Sequence, residues 1–370
     1  MRWRVPPAAG PAVAAGGIAA ALYLRTLAPG LTWAHAGADG GDLLAAALTA
    51  GVPHPPGYPF YELLLRLALY LRPASDPGQT GNLISALAAA TAVALLADLA
   101  RRALPPRPAR PFLAVLAALA WAASPAFWSQ AVITEVYALN ALAVVAVSWL
   151  LWRWREAASA AAKPGAGPDR RVGIFPALAG LALGLGLGNH LTLALLLPAV
   201  AVWLAGNRRL LAATPRWARL AAGLGLLAGL SSYLYLPWAA AGRPPIDWGV
   251  PRSAEGFVWL VTAAPYRALV FGLPPGRAWA RLVALAGEAL QQFWPWGAVL
   301  AGYGLWRLDG RDHAWWRFTG LSALVFSLYA LGYNTADSYV YLIPAWAMAT
   351  LWLAEGLNGL LDLVEAALAR

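Results

Sequence analysis

The sequence predicts an all-helical, polytopic membrane protein with about ten membrane-crossing helices. Three observations carry this. First, 60% of the 370 residues are hydrophobic and only 12% are charged, far less charge than a soluble chain of this length needs to cover its surface. Second, the apolar residues fall in long runs, and a hydrocarbon core of ~30 Å takes about 20 helical residues to cross. Third, basic residues cluster between the runs, so the net charge of +10 marks helix ends and not a nucleic-acid partner. The absence of cysteine excludes disulfides, thiolate nucleophiles and cysteine–zinc sites.

Arg2 and Arg4 precede the first run, Pro11 to Ala28, and place the N-terminus in the cytoplasm by the positive-inside rule. The run reads as a signal anchor, since no small-residue cleavage site follows it. Residues 29–80 are then external. Within them Tyr58 to Leu71 is too short to span and carries Glu62 and Arg66, so it is expected to lie along the interface. Gly81 to Ala100 forms the second span and brings Arg101, Arg102, Arg107 and Arg110 inside. The third and fourth spans are Pro111 to Phe127 and Val136 to Trp152, with an external turn from Ser129 to Glu135. A Gly/Pro-rich basic loop follows inside. Gly173 to Gly206 reads as two short spans meeting at an external Gly188-Asn189-His190 turn. The seventh is Leu220 to Trp238, and residues 239–282 form a long external loop. The eighth is Val283 to Trp306, the ninth ends at Tyr333, and the tenth runs from Tyr339 to about Trp352. Leu353 to Arg370 is expected to be an amphipathic cytoplasmic tail. The whole chain reads as one transmembrane domain with no soluble C-terminal domain, in a plasma membrane, with a bacterial one favoured.

This topology uses only apolar length and arginine position. It nevertheless puts Asp39, Asp42, His54, Glu135, Asn189, His190, Asp247 and Asp337 together on the external side. Asp39 and Asp42 open a stretch in which His54 stands among Pro53, Pro55 and Pro56, which restrict the backbone. Two carboxylates near a rigid imidazole beside a membrane can present a base to a polar substrate. A plain alternative stands beside it: a solvated loop in which Asp39 or Asp42 caps a helix. Geometry favours Asp39 as the base, because Asp42 falls in the first turn of the short helix. Glu135 is either a substrate contact or a helix N-terminal acid. Arg243, Arg252, Arg267, Arg277 and Arg281 lie outside against the usual bias. Such arginines want an anion; a phosphate fits a guanidinium fork, and Asp247 or Glu255 is the bland partner. Trp248 and the tryptophans near it read as interfacial residues or as sugar-stacking faces. His54 and His190 show no HxxxH or HExxH spacing, so neither metal nor cofactor is expected.

Taken together, Asp39-Gly-Gly-Asp42 and Val52-Pro-His-Pro-Pro-Gly-Tyr-Pro59 resemble the first external loop of the GT-C superfamily of integral-membrane glycosyltransferases. The similarity is greatest to the branch that includes the plexin protein O-mannosyltransferase. Thr134-Glu-Val-Tyr-Ala-Leu-Asn140, Gly186-Leu-Gly-Asn-His190, Tyr235-Leu-Pro237, Pro244-Pro-Ile-Asp-Trp-Gly249 and Asp337-Ser-Tyr339 resemble its motifs in the same order. Two departures stand out: Asp42 replaces a glutamate, and Trp238 and Ala239 stand where an arginine usually follows Tyr-Leu-Pro. The resemblance implies a GT-C fold and inverting transfer of a mannose-like hexose from a polyprenyl-phosphate donor to a protein or glycan hydroxyl. Asp39 then acts as the base, supported by Asp42. His54, Tyr58, Glu135, Tyr137, Asn189, His190, Arg243, Asp247, Trp248, Arg267, Asp337 and Tyr339 are the candidate substrate-binding residues. A transporter or flippase of the same lipid-linked sugar is the alternative. It would need a polar path, and Asp98 is the one acid placed well inside a span. A scaffold with a vestigial site is a third reading, which the paired acids disfavour.

Overall fold

A computed structural model of the chain describes residues 10–73, 75–165, 167 and 169–370. Arg2 and Arg4, on which the N-terminal orientation was read, lie outside the described residues. The architecture is all-helical, with no strand among the described residues beyond one isolated bridge.

Sixteen α-helices follow in order among the described residues. α1 (Gly10–Arg25) packs against α4 (Pro77–Ala103). Between them lie two short helices, α2 (Gly40–Thr49) and α3 (Pro59–Leu71). α3 has only 13 residues, or about 20 Å at 1.5 Å per residue, too short to cross. α5 (Arg110–Ala122) and α6 (Pro125–Ala131) are not one straight span. They bend by 71° because Pro125 cannot continue the helix before it. α7 (Tyr137–Ala161) follows. α8 (Arg171–Leu187), a 3-10 turn (Leu191–Leu196) and α9 (Leu197–Gly206) form a broken pair interrupted at Gly188-Asn189-His190. α10 (Arg208–Ala213) leads to α11 (Arg216–Leu230) and α12 (Tyr235–Ala241).

The long connection holds α13 (Ala254–Val261) and a 3-10 turn (Ala264–Leu269). α14 (Pro275–Arg311) starts earlier than its apolar run and breaks at Trp294, whose φ is 60°, just before Pro295. α15 (His313–Gly332) is followed by a 3-10 turn (Ser338–Leu342) and α16 (Ile343–Leu368). Residues 353–368, read from the sequence as an amphipathic tail, continue α16. Its outer acids explain why, since Asp362 and Glu365 are drawn to Arg107 at 2.7 and 2.6 Å.

Among the described residues, four stretches are long and apolar enough to cross a membrane: Pro77–Ala103, Tyr137–Ala161, Arg216–Ala241 and Ser338–Leu368; the bent α5–α6 pair makes a fifth if taken as one span. Glycine lets α14 and α16 touch. A Cβ on Gly304 would sit 1.8 Å from the Trp352 carbonyl oxygen, so helix backbones meet directly there.

The two ends of the bundle differ in chemistry. At one end, arginines pair with acids within α4 and across helices: Arg102 with Asp98 on its own helix and with Glu156 on α7, Arg155 with Asp312, Arg311 with Glu355. The other end carries the loops around Asp39 and Asp247. Asn82, at that end of α4, donates to the Ala28 and Gly30 carbonyls and accepts from Thr134 Oγ1 at 2.7 Å. One buried amide thus ties the entry to the Asp39 loop to the connection that carries Glu135.

Candidate active site

The Asp39 helix begins at Gly40, with Asp39 as N-cap, yet the Asp39 carboxylate makes no capping bond. It faces a cavity of about 410 Å³. His54 Nε2 lies 3.4 Å from Asp39 Oδ2 and 3.1 Å from the Tyr58 hydroxyl. On its other side His54 is gripped by Asp42: both the backbone N–H and Nδ1 meet Oδ2, at 2.8 and 2.7 Å. Asp42 therefore does not spend its carboxylate on the first helical turn. Its other oxygen accepts from the indole N–H of Trp248 at 3.2 Å. The imidazole is a bridge between one enclosed acid and one that opens to the cavity.

The charges follow from this. Burial alone would depress the His54 pKa, but hydrogen bonds and the charges of Asp39 and Asp42 more than offset it and raise it to about 9. Burial pushes Asp42 up, and the His54 bonds and charge overcome that and hold it below its usual value. At neutral pH the pair is imidazolium and carboxylate. Glu135 is the opposite case. It is 1% exposed, accepts the Asp39 backbone N–H at 3.3 Å, and has one oxygen without a partner among the described residues. Burial, with the Asp39 charge added, raises its pKa to about 8. Glu62 on α3 is likewise sealed, and burial raises it well above the carboxylate range.

These groups make stability pH-dependent with one sign. The His54 contribution is complete below about 6.5 and is lost as pH rises through about 9. For Glu135, the unfolded chain ionises near 4.5 while the folded chain stays neutral to about 8, so stability falls across that window too. The melting temperature in detergent is expected to decline steadily from about pH 5 to 9. Glu135→Gln should flatten the lower part of that decline and His54→Gln the upper part. A melting temperature that rises with pH would contradict both assignments.

The candidates divide by position. Asp39, His54, Tyr58, Tyr137, His190, Arg267 and Asp337 line the cavity. Asp42, Glu135, Asn189, Arg243, Asp247, Trp248 and Tyr339 do not. Asn189 is fully buried and donates to the Val136 carbonyl at 3.1 Å, pinning the α8 break to the start of α7. Asp247 pairs with Arg252 at 3.2 Å, which is the bland reading of that arginine. Trp248 serves Asp42. Arg243 closes α12, its N–H bonded to the Ala240 carbonyl. Sequence reasoning missed Tyr329, Tyr333 and Tyr341, which wall the cavity together with Tyr266, read from the sequence as an interfacial or sugar-stacking ring. Tyr341 is two residues beyond Tyr339 in the same short 3-10 helix, two-thirds of a turn around it, and spacing alone does not choose between them.

Two loop segments are clasped together. Val52 and Asp247 form an isolated parallel bridge, with Val52 N–H to the Ile246 carbonyl at 2.8 Å and Trp248 N–H to the Val52 carbonyl at 3.2 Å. The Tyr235 hydroxyl donates to the Gly51 carbonyl at 2.8 Å.

The architecture is a GT-C fold. Its solved counterparts are two crystal structures of ArnT from Cupriavidus metallidurans. The one bound to undecaprenyl phosphate superposes with a TM-score of 0.65 at 15% identity, covering 94% of this chain and 60% of that one. The apo form gives 0.63 at 16%, covering 95% and 60%. By sequence, residues 39–210 are similar to the family described as protein O-mannosyl-transferase TMEM260, N-terminal domain. The mouse protein O-mannosyl-transferase TMEM260 is 30% identical over 242 residues, which is 65% of this chain and 32% of that protein. The chain thus spans about a third of the length of that relative.

Proposed function

We propose that the chain transfers a mannose-like hexose from a polyprenyl-phosphate donor to an acceptor hydroxyl of a protein or glycan, with inversion and with Asp39 as the base. The observation that carries this is the Asp39 carboxylate, which opens into the cavity and is contacted by a protonated His54. The imidazole contact orients this carboxylate toward the cavity. As the acceptor oxygen attacks the anomeric carbon, its proton passes to Asp39 and the bond to the lipid phosphate breaks. Base assistance of this kind contributes about 10²–10⁴ in rate.

The count of ten spans, an interfacial α3 and an external site belong to the same proposal; the cysteine-free chain suits single-cysteine labelling to count them. We place the donor phosphate at Arg267. Its guanidinium lines the cavity and donates to Thr262, whereas Arg243 is not part of the lining. Arg281, bonded to the Tyr333 and Thr335 carbonyls, holds the wall behind it. The test is binding and turnover of undecaprenyl-phosphate-mannose by the purified protein. Arg267→Ala is expected to weaken donor binding by about 1.5–3 kcal/mol, and Arg243→Ala by less than about 0.5. Equal losses in the two variants would refute the placement. A flippase needs a free polar path. Asp98 is not free for one: Arg101, Arg102 and the Trp149 indole hold it at the far end of α4.

A further inference from the structure

We propose that the His190 end of the cavity is the subsite for the donor's sugar ring, and that it takes an uncharged pyranose held by tyrosine faces and by one neutral N–H donor, His190 Nε2. The proposal rests on the donor reading above and adds where the sugar lies and what charge it carries.

The tautomer comes first. His190 caps the 3-10 turn after α8, and its Nδ1 accepts the Thr192 backbone N–H at 3.2 Å. A backbone N–H can only donate, so Nδ1 holds its lone pair and the proton of the neutral ring sits on Nε2. The Thr192 hydroxyl, 2.7 Å from Nδ1, is itself fixed by the Asn140 amide at 3.2 Å. Burial keeps the ring neutral, with a pKa lowered to about 4. Nε2 has no hydrogen-bond partner and is not among the sealed polar atoms of the described residues. His190 lines the cavity, so this N–H is available to a ligand.

The surroundings fit a sugar. The rings of Tyr58, Tyr137 and Tyr341 stand 6.1, 5.6 and 6.0 Å from the imidazole. A pyranose offers apolar C–H faces to aromatic rings and hydroxyl edges to donors. The side chains that stand around the imidazole, Tyr58, Tyr137, Tyr341 and Thr192, carry no charge, so this end of the cavity matches an uncharged ring. Tyr58 joins the two ends: its hydroxyl meets His54 and its ring faces His190. A ring bound at His190 therefore lies one side chain away from Asp39. The enclosed position suits a group carried in on a lipid better than an acceptor segment arriving from solvent.

The experiment compares binding of undecaprenyl phosphate and undecaprenyl-phosphate-mannose to the wild type, His190→Phe and His190→Gln, with transfer measured alongside. His190→Phe keeps the ring and removes the donor. It should weaken the mannosylated lipid roughly tenfold, leave the bare lipid phosphate and the acceptor KM unchanged, and be largely rescued in His190→Gln, whose amide supplies an N–H. Equal loss for both lipids would mean a merely structural role, and a change confined to the acceptor KM would mean an acceptor subsite; either overturns the proposal. Wild-type transfer with an unaffected His190→Phe would overturn the subsite alone. A wild type that neither prefers the mannosylated lipid nor transfers mannose would overturn the functional reading with it.

Discussion

Asp39→Asn should lower sugar transfer by about 10²–10⁴ while donor binding persists. The substitution keeps size and removes the proton acceptor. Its neighbours do not depend on the charge for their places: His54 is anchored by Asp42 through two bonds, and Glu135 meets the Asp39 backbone, not its side chain. The variant should therefore fold and bind undecaprenyl phosphate like the wild type. Single-turnover transfer from saturating undecaprenyl-phosphate-mannose is the measurement. Near-normal turnover would move the base elsewhere, with Asp337, the other carboxylate on the cavity wall, as the next candidate.

Asp42→Asn should cost about 10–10² in kcat/KM by a different route. Asparagine keeps a single acceptor oxygen, so it can serve the His54 backbone N–H or the Trp248 indole but not both, and it removes the charge and weakens the charge-assisted bond at Nδ1. Both raise the His54 pKa in the wild type, so their loss lowers it. The alkaline limb of the pH–rate profile, expected near 9 in the wild type, should move to lower pH in Asp42→Asn. A profile that falls in height with its limbs unmoved would show that Asp42 does not act through His54.

The sequence made the reacting end of the site readable and the sugar end nearly unreadable, for physical reasons. Carboxylates and a proline-caged imidazole are costly beside a hydrocarbon core, so Asp39 and His54 stand out against their surroundings. Tyrosine belongs as naturally to an interfacial belt or a helix contact as to a cavity wall, and Tyr266, Tyr333 and Tyr341 carry no such contrast. Asp42 misled in a third way. An acid in a first helical turn satisfies a rule by position alone, and only the placement of residues 54 and 248 shows that its carboxylate points elsewhere. Arg243 and Arg267 were indistinguishable as external arginines until α12 and the 3-10 turn at Ala264–Leu269 set one at a helix end and the other on the cavity. The helix count suffered from breaks: the bend at Pro125 and the interruption at Trp294 lie within apolar runs that look continuous.

The clasp between Val52 and the segment around Asp247 puts a delay into the making of this protein. Asp42 and Trp248 are 206 residues apart in the chain, and at about 5–20 residues per second a ribosome needs roughly 10–40 s to travel between them. Throughout that interval the loop holding both carboxylates exists without its indole partner and without the segment it bridges to. A nascent chain halted anywhere before residue 246 would carry the acid, the histidine and the proline turn and still lack the segment that holds them in place. The loop is therefore fastened late, when the segment around Asp247 closes on it, and the wall formed by Arg267, Asp337 and Tyr341 is completed only after that.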